Sequence, residues 1–190
     1  MRSLALGLVA AICCCVSSAD DDRTEAAWAA LEQGRAVLLL RHATAPGVGD
    51  PPSFTLGDCK TQRNLNDKGR EEARRWGALL RKHGIDRPRL LSSRWCRSLE
   101  TARQMNVGSV EPFPALDSFF AESDRGKQQT AELRHYLESL PATTPVIMVS
   151  HQVNITALTG IFPRSGEGLI LSLPLTEPVE ILARIAPPSP

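Results

Sequence analysis

The stretch AVLLLRHATAPG, Ala36 to Gly47, runs five apolar residues directly into an arginine, a histidine and a glycine-containing loop. A continuous apolar run of this length suits a strand buried on both faces. PVIMVSH, Pro145 to His151, repeats the pattern more than a hundred residues later, with Val146 to Val149 ending in Ser150-His151 and a helical segment after it. Between them RLLSSRWCRSLETA, Arg89 to Ala102, reads as a short strand, Arg89 to Ser92, that leaves into a polar turn carrying Arg94 and Arg97 and then a helix over Trp95 to Met105.

Around these strands the periodicity predicts helices over Thr24 to Gln33, Asp67 to about Lys82 with Gly84 as its stop, and Lys127 to Leu140 with Pro141 just beyond. Two late strands, Gly168 to Leu173 and Val179 to Ile185, precede a Pro-rich tail. Strands alternating with helices predict an α/β fold, a three-layer sandwich with a mostly parallel central sheet. In such sheets ligands bind beyond the carboxyl ends of the strands. His42, His151 and the arginines therefore converge at the end where a site is expected. Arginine forks and the hydroxyls of Ser92 and Ser93 suit the oxygens of a phosphate.

At 190 residues, 42% apolar and 23% charged, the chain is sized for one hydrophobic core. Met1-Arg2, the apolar run Leu4 to Val16 and the small residues Ser17 to Ala19 ahead of three aspartates have the layout of a signal peptide. The expected organisation is a signal peptide over 1–19, a helical segment over 20–35, the main domain over 36–186 and the tail over 187–190. The apolar run is shorter than the roughly 20 residues that span a bilayer, so no stable membrane insertion is expected after cleavage. A lipid anchor through Cys13, Cys14 or Cys15 is the less favoured alternative.

Cleavage after Ala19 removes Arg2 and balances the charges, which gives no general attraction for nucleic acid or anionic membranes. It leaves Cys59 and Cys96 as the remaining cysteines, either one disulfide formed in an exported, periplasmic or secreted protein or two buried thiols. No Cys-x-x-Cys pair in the mature chain, His-Glu-x-x-His or Gly-x-x-x-x-Gly-Lys motif calls for a metal or a nucleotide cofactor, and none is expected.

LLLRHA, NLNDKGREEAR, LLSSRWCRSLETA and VIMVSHQ, taken in order, resemble the histidine phosphatase superfamily, which includes phosphoglycerate mutases and many phosphomonoesterases. The resemblance spans about Val37 to Thr159 and implies the phosphoglycerate mutase-like fold. It makes His42 the nucleophile that accepts a phosphoryl group, Arg41 and Arg97 the ligands of the phosphate oxygens, and His151 the second histidine. It implies a phosphomonoesterase acting on a phosphorylated small-molecule or cell-envelope substrate. The alternatives are a mutase, a phosphohistidine-protein phosphatase and a non-hydrolytic phospholigand-binding domain.

The sequence departs from the family pattern at Ala43 and Gln152, where glycines are usual, and no motif fixes the general acid. LDSFFAESDRG, Leu116 to Gly126, offers Glu122, with Asp124 as the alternative; both also suit solvated loop charges. Thr44 and Ser93 are candidate substrate contacts. The connection Thr44 to Asn64 is long enough to shape one wall of the pocket and to set substrate choice. Trp28, Trp76 and Trp95 are expected in packing roles, and His83 and His135 on exposed helix faces.

Overall fold

The computed structural model describes residues 15–141 and 143–189. Six strands, β1 (Ala36–Arg41), β2 (Arg89–Ser92), β3 (Val110–Pro112), β4 (Val146–Ser150), β5 (Gly168–Ser172) and β6 (Ile181–Ile185), form one sheet in the order β3-β2-β4-β1-β5-β6. The β3-β2, β2-β4 and β4-β1 pairs are parallel, whereas β1-β5 and β5-β6 are antiparallel. The parallel part of the sheet carries the three strand ends singled out by sequence. In register, Arg41 lies beside Ser150 and Ser92 beside Val149, so all three strands finish on one line.

The apolar run of β1 is continuous because both its faces are covered. Leu38 and Leu40 point into one core with Trp28 and Leu31 of α1 (Cys15–Glu32), Trp76 and Leu80 of α2 (Asp67–Lys82), and Ala102 and Met105 of α3 (Cys96–Met105). Val37 and Leu39 point the other way, into a second core with Leu133 and Leu137 of α4 (Gly126–Glu138) and Ile155 and Leu158 of α5 (Gln152–Thr159). Residues Val37 to Leu40 are fully buried, which at roughly 1.5–3 kcal/mol per large aliphatic side chain makes β1 a principal source of the fold's stability.

Helix α1 begins at Cys15, earlier than the expected start at Thr24, and passes through the expected cleavage point at Ala19. The apolar segment Leu4 to Val16 lies almost wholly outside the described residues. No helix among the described residues is long and apolar enough to cross a membrane. His83 is not on an exposed face as expected: its ring stacks on Trp28 with centroids 4.3 Å apart, and it closes the C-terminal end of α2.

Helix α2 sets the loop that follows β1. Asn66 caps its start by accepting from the Gly69 N–H at 2.9 Å. Gly69 is required by contact: a Cβ there would stand 2.1 Å from the Thr44 carbonyl oxygen. One turn on, buried Glu72 accepts from the Thr44 N–H and the Thr44 hydroxyl, both at 2.9 Å. Leu65 and Ala73, with Ala43 and Ala45, form a small apolar platform under the turn that bears His42. The spacing of Leu65, Gly69 and Ala73 thus positions the chain after the first histidine.

Candidate active site

His42 continues directly from β1, its backbone N–H donating to the Ser150 carbonyl at 2.9 Å. Its side chain is 2% exposed. Nδ1 lies 2.8 Å from the Ala43 carbonyl oxygen, which can only accept, so Nδ1 carries the proton and Nε2 keeps its lone pair. That lone pair faces Arg97, whose Nε donates to His42 Nε2 at 3.2 Å. Burial, and after it the charge of Arg97, pushes the imidazole well below its ordinary pKa, so it is neutral at neutral pH.

Arg97 is the hub of the site. It stands in the first turn of α3 and is 3% exposed. Besides His42 it donates from Nη1 to Asp50 Oδ1 at 2.8 Å and from Nη2 to His151 Nδ1 at 3.4 Å. Burial pulls its pKa down to about 10, still well above neutral pH. Thr101, one turn later, donates to the Arg97 carbonyl at 2.7 Å and accepts from the Ala43 N–H at 3.1 Å, which joins the Arg97 helix to the His42 turn.

His151 follows β4 and is equally buried. Because Arg97 donates to Nδ1, the proton sits on Nε2 and is given to Ser93 Oγ at 2.7 Å. Ser93 Oγ accepts also from the Trp95 N–H at 3.2 Å and donates onward to Asp117 Oδ1 at 3.3 Å. This His151, Ser93, Asp117 chain fixes the second ring from behind. Burial, then Arg97, drives its pKa well below the ordinary histidine value as well.

The two imidazoles, with ring centroids 5.4 Å apart, sit at the floor of a cavity of about 320 Å³. Arg41, Arg63 and Arg97 all line it, and Asp50 is the one carboxylate that does. Arg41 Nη1 donates to the Pro163 carbonyl at 2.9 Å, while its buried Nε has no partner among the described residues. Arg63 is held by the Ala45 and Gly49 carbonyls. Three cations against one anion leave the cup short of negative charge, which a phosphate-like dianion would supply.

Four of the expected residues, Arg41, His42, Arg97 and His151, therefore converge. The others do not line the cavity. Thr44 is turned to Glu72, and Ser93 supports His151 from outside. Glu122 does not reach the site: it is exposed and paired with Arg125 at 2.8 Å, with both side chains more than 60% exposed, and Asp124 is exposed too. Its stretch contributes Ser118 and Phe120 to the cavity, and Asp117 to the support of Ser93.

Asp50, Arg63 and Trp95 were not singled out by sequence for the site. The Trp95 and His151 rings meet in a T-shaped arrangement with centroids 5.6 Å apart, and Trp95 donates from Nε1 to Asp50 Oδ2 at 3.0 Å. The placement of Asp50 and Arg63 depends on the path of the connection between β1 and α2. That path is pinned by a disulfide between Cys59 and Cys96, with Cα atoms 5.7 Å apart, which resolves the cysteines in favour of the pair. Gln62 adds a bond to the Cys96 N–H at 2.9 Å.

The model of the histidine phosphatase superfamily (branch 1) matches residues 37–129, from β1 through the second arginine to the start of α4. No curated protein matches the sequence. Among solved structures, the protein histidine phosphatase SixA complexed with tungstate is similar at a TM-score of 0.55 and 18% identity, over 80% of this chain and 97% of that one. The product of the Mycobacterium tuberculosis open reading frame Rv3214 gives 0.56 and 17%, over 77% and 95%. A mycobacterial glucosyl-3-phosphoglycerate phosphatase complexed with VO3 gives 0.52 and 18%, over 73% and 92%. At these identities the likenesses concern the fold, a six-stranded mixed sheet between helices. Over residues 37–129, from the strand end that bears His42 through the helix that bears Arg97, the sequence is that of the histidine phosphatase superfamily.

Proposed function

We propose that the protein is an exported phosphomonoesterase that works through a phosphohistidine at His42. The observation that carries this reading is the tautomer of His42. Nδ1–H is committed to the Ala43 carbonyl, and the free Nε2 faces Arg97 on the floor of an arginine-lined cavity. A phosphate monoester seated there exchanges the Arg97–Nε2 contact for contacts from Arg41, Arg63 and Arg97 to its oxygens. Nε2 attacks phosphorus, the phosphorus–oxygen bond of the ester breaks, and the ester oxygen leaves as an alkoxide or phenolate that takes its proton from water. Water then attacks the phosphoramidate, releasing inorganic phosphate and restoring neutral His42. The arginines stabilise charge on the equatorial oxygens, the main demand of phosphoryl transfer, and His151 joins them once Nδ1 also takes up a proton, which a bound dianion favours.

The leaving oxygen finds no ready carboxylic acid. Glu122 is at the surface, and Asp50 is held ionised: burial opposes its charge, but the Arg63 N–H and the Arg97 cation outweigh that and lower its pKa. The site is thereby suited to leaving groups that depart with little proton assistance. A second reading, removal of a phosphoryl group from phosphohistidine on another protein, draws support from the same feature, since an imidazole leaves phosphorus more readily than an alkoxide does. The fold likeness to a protein histidine phosphatase accords with it.

The test is turnover of p-nitrophenyl phosphate together with trapping of label from a phosphate ester. The expected adduct sits on His42 and is acid-labile and base-stable. Label on a serine or a carboxylate would overturn the phosphohistidine route, and binding without turnover would support a non-hydrolytic phospholigand domain. Export rests on the signal-like start and is consistent with the disulfide. Intact-mass measurement of secreted protein should show a mature start at Asp20.

A further inference from the structure

Four large apolar side chains are markedly exposed among the described residues, and three of them line the same cavity: Val48 at 88%, Phe162 at 68% and Phe120 at 57%. Singly, such residues need no explanation; gathered around a charged cup, they do. They come from three separate connections. Val48 stands between Gly47 and Gly49, both at positive φ, so its turn is built to present the side chain outward. Phe120 lies across the same turn, its ring edge 3.8 Å from where a Gly49 Cβ would be. Phe162 adjoins Pro163, whose carbonyl holds the Arg41 guanidinium, so the ring is tied to the phosphate-facing floor.

We propose that these three residues form an apolar subsite for the group attached to the phosphate, and that the preferred substrates are aryl phosphates. Two exposed phenyl rings and a branched aliphatic offer flat and edge contacts to an aromatic ring, whereas a sugar or polyol would lose hydrogen bonds to water against them without replacement. The leaving-group chemistry points the same way, because a phenolate departs without the acid that the cavity lacks. The claim about turnover rests on the phosphohistidine reading above; the subsite itself can be tested apart from it.

Phenylphosphonate and methylphosphonate carry a phosphorus–carbon bond that this chemistry cannot break, so calorimetric titration of the purified protein with each reads binding alone. Phenylphosphonate should bind at least about tenfold more tightly, the return expected from burying most of one ring. Phe120→Ser and Phe162→Ser should each shrink that ratio several-fold, and the double variant should bring it near unity. Both rings are exposed, so their loss removes no buried core contact. In turnover, kcat/KM should be higher for 2-naphthyl phosphate than for phenyl phosphate, whose leaving groups are comparable acids, and lowest for glycerol phosphate. Equal binding of the two phosphonates, or a preference that survives the double variant, would overturn the subsite even if p-nitrophenyl phosphate were hydrolysed. Preferential binding of phenylphosphonate with no ester hydrolysed would instead sustain the subsite and overturn aryl phosphates as substrates together with the phosphatase reading.

Discussion

Asp50 Oδ1 accepts from Arg97 Nη1 at 2.8 Å, so a carboxylate from the connection between β1 and α2 occupies one prong of the guanidinium that also touches both histidines. The pair is mostly buried, with the Arg97 side chain 3% and the Asp50 side chain 15% exposed. Its geometry is fixed by further bonds to Asp50 from the Arg63 N–H and the Trp95 indole.

The charge of Asp50 opposes an incoming phosphate, while its bonds orient Arg97. Asp50→Asn keeps the shape and removes the charge, so inhibition by inorganic phosphate should strengthen by at least about tenfold: two unit charges about 4 Å apart at an effective dielectric of about 20 repel by about 4 kcal/mol, and about a third of that suffices. The kcat should fall, because Arg97 is held less firmly. A parallel drop in phosphate affinity would show that Asp50 acts only as a scaffold.

His42→Ala should abolish turnover and leave the fold intact, since the ring lies beyond the end of β1 and contributes to neither large core. Arg97→Ala should lower kcat by on the order of 10² to 10³, by analogy with loss of one preorganised oxyanion donor. Circular dichroism of both variants should overlay that of the unsubstituted protein, and near-normal activity of His42→Ala would refute its role as nucleophile.

Both buried imidazoles have folded pKa values below the ordinary 6.5, chiefly through burial. Below pH 6.5 the unfolded chain therefore binds protons that the folded chain refuses. The sign follows: stability is full above pH 6.5 and falls as pH drops from there towards the folded values, by up to about 1.4 kcal/mol per pH unit for each histidine. Urea midpoints at pH 7.5 and 5.5 should differ less in His42→Asn/His151→Asn than in the parent. Added phosphate should stabilise both rings' protonated forms and narrow the parent's loss.

The strands were legible because burial on both faces writes an uninterrupted apolar run, as in Val37 to Leu40 and Val146 to Val149. The histidines and Arg97 were legible because each follows such a strand. Strand β3 escaped notice: Val110 to Pro112 is an edge strand of three residues, two of them exposed, and has no period to read. Asp50 and Arg63 escaped for a different reason. Their positions are set by a loop whose course depends on a disulfide, on Gln62 and on carbonyls distant in sequence, and loops carry no periodic signal. Glu122 had the right chemistry but faces Arg125 three residues away, a local pairing that won over any reach inward.

Removing the Cys59–Cys96 bond should cost stability and activity together. It closes a separation of 37 residues, for which chain entropy gives about 4 kcal/mol at most. Cys96 precedes Arg97, and Cys59 anchors the connection that holds Asp50 and Arg63. Cys59→Ser/Cys96→Ser should therefore lower the urea midpoint and reduce kcat/KM even at temperatures where the variant is fully folded. A loss of stability with unchanged kcat/KM would show that the connection holds its course without the bond.

Gly69 tests whether the helix motif serves the chemistry or only the fold. A Cβ at this position would sit 2.1 Å from the Thr44 carbonyl oxygen and 3.0 Å from its carbon, and backbone cannot swing aside as a flexible side chain can. Gly69→Ala must push α2 and the Thr44 backbone apart. The movement would strain the two Thr44–Glu72 bonds and the Ala43, Leu65 and Ala73 platform, with a cost of about 1–3 kcal/mol typical of overpacking. Thr44 is two residues from His42, so the shift should also misplace Nε2 against Arg97. In-line attack depends on near-contact alignment, and a displacement of about 1 Å can cost about 10² in rate. The expected result is a folded protein of lower melting temperature whose kcat falls far more than its affinity for phosphate, because Arg41 and Arg97 still bind oxygens. A Gly69→Ala protein destabilised as expected but with kcat unchanged would show that the helix supports the fold without aligning the nucleophile.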